Sequence, residues 1–76
     1  MYKEYFVKIT NINKSGSESI AEIGPLEWNE VRELLDSMDR FVMTHRGARL
    51  IERQPKYRKI VFDSGNSCRI LEAIDA

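Results

Sequence analysis

The chain has 76 residues, 42% of them hydrophobic and 32% charged, and its 12 basic and 12 acidic side chains cancel to a net charge of zero. That length is one domain, residues 1–76, and a small one, able to bury only about 60% of the surface its unfolded chain exposes. One cysteine, Cys68, excludes an internal disulfide and a cysteine zinc site, and no wholly apolar run exceeds three residues, as at Phe41-Val42-Met43, far short of the ~20 residues of a membrane-spanning helix.

Residues 3–12 alternate: Tyr5, Val7 and Ile9 point one way and Phe6, Lys8, Thr10 and Ile12 the other, which predicts a strand. Asn13-Lys14-Ser15-Gly16-Ser17 has the composition of a turn, and residues 19–23 give a short second strand that completes a hairpin. Gly24-Pro25 then changes the period. Proline suits the first turn of a helix, where its missing N–H is not needed.

From residue 26 to 45 apolar side chains recur three and four apart, at Val31, Leu34, Leu35, Met38, Phe41 and Val42. This predicts an amphipathic helix with Trp28 at the edge of the apolar stripe. Glu27 and Glu30 complement its positive end, Arg40, His45 and Arg46 its negative end, and Gly47 stands just past it.

Alternation resumes after Gly47. Residues 48–53 predict a strand, with Arg49, Ile51 and Arg53 on one face, and Gln54-Pro55 breaks it. Residues 57–63 predict the next strand and Ser64-Gly65-Asn66 a turn. Residues 67–75 fit a strand, or a short helix with Ile70, Leu71 and Ile74 on one side; the tight turn before them favours the strand. The order β-β-α-β-β-β predicts an α+β fold, a two-layer sandwich of one long helix on an antiparallel sheet. Dimerisation would add the buried area that so small a core lacks.

No catalytic arrangement stands out. His45 and Cys68 are the sole histidine and cysteine, each better explained by its local structure than as a dyad. The four glycines sit at element boundaries and match no phosphate-binding pattern. The acids Glu27, Glu30 and Glu33 lie three apart, as an exposed helix face has them. The expectation is a protein that is not an enzyme, with no cofactor and no metal.

The charge is unevenly divided. Residues 1–38 hold four bases against seven acids, and residues 39–76 hold eight against five. Residues 40–59 alone carry seven bases and one acid. The candidate contact residues are therefore Arg46, Arg49, Arg53, Tyr57, Arg58 and Lys59, with Tyr2 and Trp28 as further aromatic anchors. Three readings of this surface follow: a solvated sheet face, a protein-contact surface, or a nucleic-acid footprint in which the bases meet phosphates and Tyr57 stacks. Overall neutrality, with a pI near 6.6, weighs against nucleic acid.

In size and style the chain resembles the small single-domain proteins that phages and mobile elements encode to bind and block a host enzyme, although no motif carries that likeness. The sequence leads to the expectation of a non-catalytic protein-binding module, an inhibitor being one form. A nucleic-acid-binding module using residues 46–59 and a self-associating structural subunit are the alternatives. A protein partner, with a homodimer as one case, is expected, and no membrane. An unbridged cysteine and the lack of a leader-like opening predict a cytoplasmic setting.

Overall fold

The computed structural model describes residues 3–62 and 65–76. Tyr2, Asp63 and Ser64, which figured in the expectations above, lie outside the described residues. The order is β1 (Tyr5–Ile12), β2 (Glu18–Leu26), α1 (Trp28–Thr44), β3 (Arg49–Gln54), β4 (Tyr57–Phe62) and β5 (Ser67–Asp75). The strands form one five-stranded antiparallel sheet in the order β2-β1-β5-β4-β3, with α1 packed on one face. The predicted α+β sandwich is therefore the observed fold, and residues 67–75 are a strand.

Each local cause can be named. In the β1–β2 turn, Asn13 Oδ1 accepts hydrogen bonds from the Ser15 and Ser17 backbone N–H groups, both at 3.0 Å, and from the Ser15 hydroxyl at 2.8 Å. Asparagine folding back on its own backbone in this way replaces the missing ladder bonds. At the start of α1, the Glu30 carboxylate accepts from the Glu27 N–H at 3.0 Å, satisfying one donor that the helix itself leaves free. At the other end the Thr44 hydroxyl donates to the Arg40 or Phe41 carbonyl, at 3.3 Å in either case.

The core lies between α1 and the sheet. Val31, Leu35 and Met38 face Tyr5 and Val7 of β1, Ile60 of β4, and Leu71 and Ala73 of β5. Leu34, Phe41 and Val42 pack against this cluster, so all six residues of the predicted stripe take part. Trp28 tilts against Tyr5, with ring centroids 5.4 Å apart. In the last turn of α1, Phe41 stacks on His45 and meets Phe62 edge-on, while the Arg69 guanidinium lies about 6 Å from both phenylalanine rings. The chain ends meet on the sheet: Lys3 and Lys56 both bridge Asp75 at 3.0 Å, and their hydrogen bonds hold its carboxyl below its usual range.

Two boundaries differ from expectation. Pro25 belongs to β2 and not to the first turn of α1, which begins at Trp28. The strand continues because β2 pairs only with β1 and is an edge strand, where a proline can lack its N–H without breaking a second ladder. Gly24 and Pro25 together stand opposite Phe6, a bulge between the pairs Tyr5–Leu26 and Val7–Ile23. The helix also ends before His45, so the expected bases are absent from its last turn; Arg40 instead pairs with Glu33 at 3.0 Å.

Leu35→Ala is expected to cost about 2–5 kcal/mol in denaturant unfolding, since Leu35 is almost wholly buried beneath the helix. Gly24→Ala is expected to cost about 1–3 kcal/mol, because an added Cβ would lie 2.6 Å from a Phe6 ring carbon and 2.9 Å from the Tyr5 carbonyl oxygen. Gly16→Ala separates the two causes: a Cβ at that turn meets nothing within 4 Å, so its cost, about 1–2 kcal/mol, comes only from the positive φ of 89° that alanine disfavours.

Candidate functional site

The basic segment does not form one surface. In β3 the register slips between Leu50 and Glu52, and Ile51 is the extra residue of a bulge. A bulge of one residue reverses the alternation that follows it. Arg49 pairs with Val61 on the face away from the helix, whereas Arg53 pairs with Arg58 on the helix side. The expectation that Arg49 and Arg53 share a face is therefore corrected.

Arg58 is also withdrawn from the surface. It is only 5% exposed. Its Nε donates to Asp39 Oδ1 of α1 at 2.9 Å, and its Nη1 donates to the Tyr57 carbonyl at 2.9 Å and to that of Gln54. Arg53 reaches the same carboxylate at 3.5 Å. These two arginines tie the helix to the β3–β4 hairpin. Arg46 stands exposed in the turn after α1.

Arg49, Tyr57 and Lys59 remain, all on the open face of the sheet. Directly paired residues share a face, so the register places side chains across all five strands. From β2 to β3 one row reads Glu18, Ile12, Cys68, Val61, Arg49. The next reads Ile20, Thr10, Ile70, Lys59, Glu52, and the third Glu22, Lys8, Glu72, Tyr57, Gln54. Phe6 and Ile74 pair beyond them.

This face is more apolar than a wet sheet face requires. Phe6, Ile12, Ile20, Val61, Ile70 and Ile74 all lie on it, with Ile20 56% and Ile74 40% exposed. A shallow hollow among them is bounded by Lys8, Thr10, Ile20, Tyr57, Ile70 and Glu72. Partial burial raises the Tyr57 phenol above its usual pKa, and neighbouring Glu52 and Glu72 add to the shift. The sequence held a signal for this face: β1 and β5 carry apolar residues on both sides, the pattern of strands covered twice.

The other candidate groups are far from one another or already engaged. Cys68 lies on the open face, while His45 caps α1 and stacks on Phe41 across the sheet. Glu30 is used in the helix cap and Glu33 in its pair with Arg40. Among the described residues no three His, Cys, Asp or Glu side chains cluster to hold a metal ion, and no helix is long and apolar enough to cross a membrane.

The Arg58–Asp39 pair makes a test of the hairpin's anchoring. Asp39→Ala leaves a buried guanidinium without its carboxylate and is expected to destabilise by about 2–3 kcal/mol, reduced from the fully buried case because Asp39 is partly exposed. Arg58→Met combined with Asp39→Ala removes both charges together and is expected to cost less than Asp39→Ala alone, although the Gln54 and Tyr57 carbonyls lose a donor. Thermal unfolding of both variants checks the order. Comparison of the chain with family models, curated proteins and solved structures yields no match.

Proposed function

We propose that the chain is a non-catalytic binding module that docks on protein through the open face of its sheet. The observation that carries this reading is the apolar centre of that face, which no second layer covers among the described residues. Contiguous apolar surface rimmed by polar groups is characteristic of interaction sites. The polar groups here are of mixed sign: Arg49, Lys59, Glu18, Glu22 and Glu52 flank the apolar centre, and the Lys8–Glu72 pair separates it from Phe6 and Ile74. A phosphate backbone needs several cations on a common surface, and this balance suits a protein partner better. An inhibitor that covers part of another protein's surface would act in this way.

Arg49, Tyr57 and Lys59 stay within the site, while Arg53 and Arg58 serve the fold. Ile20→Asp is expected to weaken capture of a protein partner by tagged chain at least about tenfold, with little change in unfolding midpoint, because Ile20 is more than half exposed. Arg53→Glu, on the helix side, is expected to leave capture intact. Equal capture by Ile20→Asp and the unaltered chain would remove the open face as the docking surface.

A further inference from the structure

We infer that the open face is closed by a second copy of this chain, packed sheet on sheet about a twofold axis that runs along β5. The inference rests on the docking reading of that face and names its occupant. It comes from the order of charges in the row Glu18, Ile12, Cys68, Val61, Arg49. The row has an acid at one edge, a base at the other and three apolar side chains between.

A twofold axis along the central strand exchanges the two edges of the sheet. Glu18 of each copy then lies over Arg49 of the other, Ile12 over Val61, and Cys68 over Cys68. In the next row Ile70 meets its own copy, Lys59 lies over Thr10 and Glu52 over Ile20; in the third, Tyr57 lies over Lys8 and Glu22 over Gln54. Glu72 faces its own copy, and the adjacent Lys8, its pair on β1, supplies the counter-charge.

The other aligned arrangement has its axis across the strands and keeps each edge over itself. Counting both copies, it sets Glu18 over Glu22 twice, Lys59 over Lys59 and Glu52 over Glu52, four like-charge contacts against the single Glu72 contact of the first arrangement. Charge therefore selects the axis along the strands, and that axis also satisfies the aligned, ~10 Å packing of stacked sheets.

The area is of the right order. Five strands, the longest of eight and nine residues, make a face of roughly 24 by 27 Å. That is about 650 Å² per copy before side-chain relief is counted, against the ~800 Å² per partner of a standard interface. The product is a four-layer α/β/β/α body in which Ile12, Val61 and Ile70 become core.

Sedimentation of the full chain reads the outcome. The expected mass is twice the 8.9 kDa of one chain. Glu18→Arg and Arg49→Glu each place like charges at both edges and are expected to weaken the dimer by roughly tenfold or more. An equimolar mixture of the two variants restores both pairs, and is expected to regain the dimer with one chain of each kind. Recovery on mixing also shows that both variants are folded. Cys68 lies at the centre of the dimer, so its rate of alkylation by a maleimide is expected to fall as the chain concentration rises through the range in which the dimer forms.

A single-chain mass at millimolar concentration would overturn the inference, as would variants that dimerise as tightly as the parent or a mixture that fails to recover. If the chain is monomeric while Ile20→Asp still releases a different captured protein, the self-association falls and the docking reading stands. If Ile20→Asp alters neither self-association nor capture, both fall.

Discussion

One helix has to serve a five-stranded sheet, and most of the molecule follows from that constraint. α1 leaves β2 at one edge and delivers the chain to β3 at the other. Its 17 residues span about 25 Å, enough to cross the ~19 Å between the two edge strands. Having crossed one face, the described chain has no second helix for the other. The core is consequently one-sided, formed by the helix stripe and the inward residues of the central strands. The Arg58–Asp39 pair ties the C-terminal half of α1 to β4 alongside these apolar contacts.

Much of this was readable from residue type and spacing. The helix stripe, the inward set Tyr5, Val7 and Ile9, and the Asn13 turn depend on neighbours within a few positions, and such patterns survive into the fold. What escaped depends on partners distant in sequence. Pro25 signals a helix start by local chemistry, yet an edge ladder with β1 holds it in a strand. Ile51 looks like one more alternating residue until β4 sets the register. Arg58 carries no local mark of burial; only the approach of Asp39, nineteen residues earlier, makes its burial tolerable.

The basic segment illustrates how misleading a linear charge count can be. Seven bases within residues 40–59 read as one patch. The bulge and the helix contact distribute them over both sides of the sheet, and the side that stays open gains acids from β2, β3 and β5. The candidate site is defined by rows running across strands, not by any continuous stretch. Its apolar members come from four different strands, and only the sheet order brings them together.

The sheet order has a further consequence, for the way the chain acquires its structure. Its central pairing joins β1 to β5, residues 5–12 to residues 68–75. Each of the hairpins β1–β2 and β3–β4 can close early from local contacts, but neither has a covered hydrophobic face alone, and an isolated hairpin is marginal in water. β5 is the piece that unites them, and it is synthesised after all the others. Until residues 67–75 are free of the ribosome, β1 and β4 each expose an unpaired edge. Folding of this sheet thus waits for β5, and a chain truncated before it would present two sticky edges in place of a domain.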